Sequence, residues 1–236
     1  MTEPPPSPFE LMRMHIQALY THDDRSRVVA VNEPGGSVAP RFFLGRTLQG
    51  NLWRFRVDTT DELTAGLAEC CGREPETNEL PRMPVHQEEY IRLLASHAPI
   101  ERIWSGPAFW FSKDIAPGVL PVEISETNAD LLRGGFEDWL EDVPYRRPFM
   151  AMIEDGQAVS VCASVRITDA AHEAGVETLL KYRRRGYAVN VVAGWARAVR
   201  KMSAIPLYST SWDNTASQHV AKRLGLTMFG VDFHVT

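Results

Sequence analysis

Cysteine is scarce in this chain: there are three among 236 residues, and two of them, Cys70 and Cys71, are adjacent. That number supports neither a disulfide framework nor a tetrahedral thiolate zinc centre, so the thiols read as reduced and the compartment as cytoplasmic. Long apolar runs are also missing. No stretch approaches the roughly 20 residues of a membrane-spanning helix. The first eight residues lack the basic–apolar layout of a secretory signal, so no membrane partner is expected. Positive charge is in deficit, with 25 Lys and Arg against 30 Asp and Glu, a net charge of −5 and a pI near 5.8. Nucleic acid is disfavoured as a partner, because such binding rests on neutralising phosphates. There is no Gly-x-Ser-x-Gly elbow, no His-Glu-x-x-His and no Walker loop, which leaves hydrolase, zinc-protease and NTPase readings without support. His15, His22, His86, His97, His172, His219 and His234 are scattered without metal-ligand spacing, and no metal is expected. Only His172, beside Glu173, is worth following.

What remains is an ordinary soluble composition, 44% hydrophobic and 23% charged, with enough length for one large or two small domains. Residues 1–8 carry four prolines and read as a disordered leader. Phe9, Met12, Ile16 and Leu19 recur at helical spacing, and 27–32 reads as a strand. Strands over 41–44 and 52–56 are expected to pair across a Gly50-Asn51 turn. Thr59-x-x-Glu62 is a capping box for a helix burying Leu63 and Leu67. A proline-bearing loop, 75–84, leads to a helix over 85–97. Ser105-Gly106-Pro107 reads as a breaker. The aromatic cluster of Trp104, Phe109, Trp110 and Phe111 suits either core or the wall of an acceptor pocket. A boundary is placed at 117/118, giving an N-terminal α+β domain (9–117) and a second domain (118–236).

In the second half, 120–124 reads as a strand, and Thr127-x-x-Asp130 caps a helix carrying Leu131, Leu132, Phe136, Trp139 and Leu140. Residues 149–153 and 158–167 form a hairpin, since Asp155-Gly156 between apolar strands is a strong turn signal. A strand over 173–179 then runs into Tyr182-Arg183-Arg184-Arg185-Gly186-Tyr187-Ala188, the stretch around which the chain is organised. After it Val191, Val192, Trp195, Val199 and Met202 lie on one helical face. A strand–turn–helix junction with glycine at its tightest point presents backbone N–H groups at the positive end of a helix. Adjacent arginines add bidentate donors, and the combination suits a pyrophosphate. A solvated, salt-bridged helix start is the bland reading of Arg184 and Arg185.

Arg183-x-x-Gly186-x-Ala188 resembles the (Arg/Gln)-x-x-Gly-x-(Gly/Ala) signature of the GNAT superfamily of N-acetyltransferases. Downstream, Trp212-Asp213-Asn214-Thr215-Ala216-Ser217 followed by Leu224-Gly225-Leu226 is similar to that family's next strand end and helix. The resemblance covers roughly 120–236. It implies an α/β (α+β) fold with a mixed, mostly antiparallel sheet flanked by helices. Only one strand follows the last helix where the family has two, so either the N-terminal half supplies a strand or the sheet is one short. For that half two readings stay open: a degenerate copy of the same fold, or an unrelated α+β cap.

The resemblance also implies acetyl-CoA as cosubstrate and an amine acceptor. Arg183, Arg184, Arg185, Gly186, Tyr187 and Ala188 would hold the pyrophosphate. Val176, Glu177 and Thr178 would meet the pantetheine through main chain, and the Asn214 amide would bond it. Glu173, two residues before Gly175, matches an acidic position that many relatives use as general base, with Glu177 second. Many relatives carry a tyrosine seven residues after the asparagine as general acid, and here that position is Ala221. Ser217 is the preferred replacement, ahead of Tyr208, His219 and Tyr187. Two functions are therefore weighed: direct acetyl transfer to a primary amine, and a non-catalytic acyl-CoA-binding sensor or scaffold. A third, anion or RNA binding through the arginines, is disfavoured by the acidic balance.

Overall fold

The computed structural model describes residues 4–75, 80 and 82–236. In chain order the elements are α1 (Pro8–Leu19), β1 (Tyr20–His22), β2 (Val28–Val31), β3 (Phe42–Thr47), β4 (Gly50–Phe55), α2 (Asp61–Arg73), α3 (Gln87–His97) and β5 (Ile103–Trp110). There follow β6 (Val122–Glu123), β7 (Phe149–Glu154), β8 (Gln157–Ile167), β9 (Ala171–Thr178), α4 (Tyr187–Lys201), β10 (Ile205–Ser209), α5 (Thr215–Leu224) and β11 (Thr227–Val235). The chain forms two compact units, one of residues 1–109, 209–215 and 228–236, the other of 110–208 and 216–227. The division is thus near 109 and interleaved, where the sequence suggested a single cut at 117/118. No helix among the described residues is long and apolar enough to cross a membrane.

In the first unit, the expected leader is shorter than its prolines suggested. Residues 1–3 lie outside the described residues, and Ser7 already caps α1. Its hydroxyl accepts from the Glu10 N–H at 3.2 Å while the Glu10 carboxylate accepts from the Ser7 N–H at 2.8 Å, with Pro8 at a position that needs no N–H partner. Strands β4, β3, β11 and β5 lie side by side in that order. All six residues of β3 are buried, so side chains must alternate between two covered faces. Phe42 and Leu44 join Leu63, Leu67, Tyr90 and Leu94 beneath α2 and α3, while Phe43 meets His15 of α1. The β3–β4 turn is Leu48-Gln49, because Thr47 pairs with Gly50; Gly50 takes the left-handed backbone (φ 122°) as first residue of β4. The cap of α2 is Thr60, one residue beyond the expected Thr59; its hydroxyl accepts from the Leu63 N–H at 3.4 Å. Of the expected 75–84 loop, residues 76–79 and 81 lie outside the described residues.

The breaker at Ser105-Gly106-Pro107 is not one, for these residues sit inside β5. Here glycine serves close approach. The segment 209–215 bonds β5 through Thr210 N–H to Pro107 O (3.3 Å) and Trp212 N–H to Ser105 O (3.2 Å). A Cβ on Gly106 would stand 1.9 Å from the Thr210 carbonyl oxygen. The aromatic cluster divides as well. Trp104 stacks on His234 with centroids 4.8 Å apart in the first unit, and Phe111 packs on Trp195 at 6.1 Å in the second.

In the second unit, β10, β9, β8, β7 and β6 are neighbours in that order. Pairing is antiparallel from β6 to β9 and parallel between β9 and β10. The Asp155-Gly156 turn has both residues at positive φ (51° and 78°), as a two-residue hairpin turn requires. One sheet face buries Val191, Val192, Trp195 and Val199 of α4; the other packs Val161 and Ala163 against Leu132, Phe136 and Val143. The helix expected after Thr127 is instead two short 3-10 helices, Ala129–Leu132 and Glu137–Asp142. Gly134 at φ 95° breaks it, and Gly135 follows at φ 157° beside the Leu179 side chain. The expected Thr127 cap gives way to Asn128, whose side chain accepts from the Ser125 N–H at 2.7 Å.

Gly106→Ala is expected to cost about 1–3 kcal/mol as overpacking against backbone that cannot retreat. Gly72→Ala, in α2 with open space around it, should be neutral or stabilising by up to about 1 kcal/mol. Urea melts of the two variants check the contrast.

Candidate functional site

The site is built where β9 stops pairing with β10. The two parallel strands are matched at Ile205–Ala171, Pro206–His172 and Leu207–Glu173, and no further. On its other side β9 stays matched to β8 out to Ser160–Thr178. Residues 174–178 therefore have a strand on one side only, and Glu173 stands at the vertex of the opening. Its side chain is 2% exposed. A bulge in β8 between Ser164 and Arg166 brings Arg166 opposite Glu173.

The vertex is braced from the α4 side. The Trp195 indole donates to the Ser164 hydroxyl at 3.0 Å, and that hydroxyl lies 2.9 Å from His172 Nδ1. Donation by Ser164 to Nδ1 would leave the His172 proton on Nε2. Burial holds the His172 pKa below the usual imidazole value. His172 is thus a buried histidine, second residue of β9, whose burial favours the neutral ring. Further along, the Trp139 indole donates to the Glu177 carboxylate at 2.8 Å. Thr178 Oγ1 lies 2.7 Å from Ser160 Oγ.

Beyond Thr178 the chain makes a short 3-10 turn, Leu180–Tyr182, and enters α4 through Gly186. Gly186 is the N-cap at φ 88°, with no side chain capping the first turn, so the positive end of α4 is left to solvent or a ligand. Arg184 also has positive φ (61°). The three arginines differ in their partners. Arg183 Nε donates to the Thr178 carbonyl at 3.2 Å, folding back over the end of β9. Arg185 lies 3.5 Å from Glu154 and over the Tyr182 ring at 5.2 Å. The Tyr187 hydroxyl donates to Glu154, a bond that raises the phenol's pKa. Glu154 therefore ties the helix start to the β7–β8 hairpin. Asn190, one turn into α4, accepts from the Gly118 and Val119 N–H groups at 2.8 and 3.2 Å. Val176 and Ala188 are half-buried, and Arg183, Arg184 and Arg185 are exposed.

Ser217 and Tyr208 form a further polar pair in this unit. Their hydroxyl oxygens are 2.6 Å apart. Burial pushes the Tyr208 phenol up to about 12; the Ser217 bond works against this, and the Cys162 thiol adds to it. Cys162 stands on β8 opposite Val176, so the phenol lies near the strand that carries the open edge. Ala221, where a tyrosine was expected by resemblance, is buried. Asn214 falls in the first unit, exposed and immediately before α5, its N–H bonded to Ser211 O at 3.2 Å. The arrangement in the second unit thus joins Glu173, the open edge at Val176, Glu177 and Thr178, and the arginine loop through Ala188 along one strand and its exit.

Residues 149–230 match the family model of GNAT acetyltransferases. Over that segment, about a third of the chain, the sequence is similar to the GNAT superfamily. None of the curated proteins matches it in sequence. Among solved structures it is similar to a GCN5-related N-acetyltransferase-like protein from Streptococcus suis, at 16% identity and TM-score 0.47, covering 84% of this chain and 85% of that one. A Drosophila protein gives 15% identity and TM-score 0.49 with 81% and 72% coverage. A GNAT-family protein from Novosphingobium aromaticivorans gives 14% and 0.47, and there the chain spans 66% of the relative's length. The GNAT match supports acyl-CoA-dependent acetyl transfer in general terms and leaves the acceptor unnamed.

The Glu154 clamp and the Trp195–Ser164–His172 chain were invisible in sequence, since each joins residues far apart in it. Replacing Gly186 should rank the variants by their tolerance of a left-handed backbone. Gly186→Asn should be nearly neutral and Gly186→Val should lose about 1–2 kcal/mol in a chemical melt.

Proposed function

We propose that the second unit binds acetyl-CoA along the open edge of β9 and transfers its acetyl group to a primary amine by direct attack. The observation that carries this is the parting of β9 from β10 after Glu173, with an uncapped helix start and three arginines at the far end. An extended amide-bearing chain can pair with residues 174–178 as a missing strand would, through main chain at Val176, Glu177 and Thr178. Its pyrophosphate then meets the N–H groups of Tyr187 and Ala188 at the positive end of α4, with Arg183, Arg184 and Arg185 around it. Asn214, before α5, is assigned to the pantetheine on the family resemblance alone.

For the chemistry, Glu173 is the assigned base. A carboxylate at the vertex can take the proton of the attacking amine, directly or through water. Oriented N–H groups of the unpaired edge polarise the thioester carbonyl. As the C–S bond breaks, Ser217 is assigned to protonate the thiolate, with Tyr208 behind it as the proton source. The phenol that relatives carry at the position of Ala221 is absent, and Tyr208 brings one to Ser217, one turn earlier on α5. A non-catalytic acyl-CoA sensor would keep the binding half of this arrangement and would not need the Ser217–Tyr208 pair.

Calorimetric titration with acetyl-CoA, with CoA and dephospho-CoA as controls, tests the binding half. Micromolar affinity is expected, and Arg183→Glu with Arg184→Glu should weaken it at least about 10-fold; no binding by folded protein overturns the reading. In an amine-acceptor assay, Ser217→Ala and Glu173→Gln should each lower kcat by about 100-fold while sparing coenzyme affinity. Undiminished turnover would remove either from the mechanism.

The Tyr208 phenol makes a pH prediction. An ordinary tyrosine ionises near 10. With its pKa pushed up to about 12, this one keeps its proton through the alkaline range. Turnover should therefore show no downward limb below about pH 11 from loss of this acid. A limb near pH 10 that Tyr208→Phe abolishes would contradict the burial of the group.

A further inference from the structure

We infer that the first unit carries a transition-metal site, suited to zinc, made by Cys70 on α2, His86 just before α3 and Glu89 in the first turn of α3. One ligand atom from each, the thiol sulfur, a ring nitrogen and a carboxylate oxygen, lies within 4.8 Å of the other two. Thiolate, imidazole and carboxylate are the donors zinc takes, and three of them leave a fourth tetrahedral position. Spacing along the chain gives no hint of the set, because its members come from two helices joined through a proline-bearing segment.

The orientation of the ligands argues for more than a chance meeting, and Arg73 supplies it twice. Its backbone carbonyl lies 3.1 Å from His86 Nε2. The proton is thereby assigned to Nε2, and Nδ1, which faces Glu89 Oε2 at 4.0 Å, keeps its lone pair for a metal. Its side chain donates to Glu89 Oε1 at 2.8 Å, turning the carboxylate so that Oε2 is the oxygen nearer the histidine. A carbonyl behind the imidazole and a donor behind the carboxylate are the outer partners that metal ligands ordinarily have. Cys70 is buried beneath the two. His86 and Glu89 are half-buried and line a surface hollow of about 700 Å³ with Pro84, Gln87 and Arg92. The hollow gives an ion and a fourth, exchangeable ligand a way in. On binding, the Cys70 thiol proton leaves to solvent as the metal–sulfur bond forms.

The site is separate from the coenzyme reading, and its test uses no coenzyme. The full chain, tag-free and reduced, is titrated with Co2+ under argon and then with Zn2+. One equivalent of Co2+ should bind with thiolate-to-cobalt charge-transfer absorption in the near ultraviolet, and Zn2+ should displace it. Cys70→Ser should abolish that absorption, whereas Cys71→Ser should keep it. His86→Gln and Glu89→Gln should each weaken Co2+ binding by at least about 10-fold; both positions reach the surface, so these variants should melt like the parent chain without metal. A folded protein that shows no thiolate absorption, or a His86→Gln variant that binds as tightly as the parent, overturns the site.

Discussion

Everything proposed for the second unit depends on one limited interaction, the three-residue parallel pairing of β9 with β10. Backbone N–H and C=O groups are obligatory hydrogen-bonding groups, and a strand left unpaired inside a fold is an incomplete structure. Here the incompleteness is held in place. Up to Glu173 the two strands are tied by the ladder, and the buried Trp195–Ser164–His172 chain anchors β9 to β8 and α4. After Glu173, β9 continues along β8 and β10 ends. The opening is therefore built into the framework, and the proposed ligand suits it because its chain is extended and amide-bearing.

The loop at the end of β9 follows from the same constraint. Arg183 turns back to the Thr178 carbonyl at the end of the strand, while Gly186 and Arg184 take left-handed backbone to swing the chain into α4. Glu154 holds Arg185 and Tyr187 from the hairpin. One acidic side chain thus orients a cationic loop without neutralising it, because Arg183, Arg184 and Lys181 stay exposed. Arg183 and Arg185 have different partners, which a triplet read as a string does not reveal.

The local signals were legible where chemistry is local. Asp155-Gly156 fixed its hairpin because both residues must have positive φ, and the apolar period of α4 named the face that Trp195 buries. The Arg-x-x-Gly-x-Ala stretch marked the helix entry. The failures occurred where a residue's reason lies elsewhere in the chain. Gly106 looked like a break and is a point of close backbone approach. The apolar residues 131–140 had a helical pattern, but Gly134 and Gly135 form a turn at positive φ, Gly134 beside Gln157 and Gly135 beside Leu179. Ser217 was nameable from its place after Asn214, whereas its 2.6 Å contact with Tyr208 is tertiary.

The place of β11 has a consequence for how this chain comes into being. It lies between β3 and β5, so the sheet of the first unit has a gap in its middle until the last described strand is available. During synthesis at about 5–20 residues per second, the stretch between β5 and β11 takes on the order of 10 s. Over that interval β3 and β5 each present an unsatisfied edge, the kind that invites pairing with another chain. The second unit, whose own five strands are all made by residue 209, can form its sheet first. The nascent chain is thus expected to build the sheet of the second unit before that of the first, and to be most prone to aggregation until β11 is available.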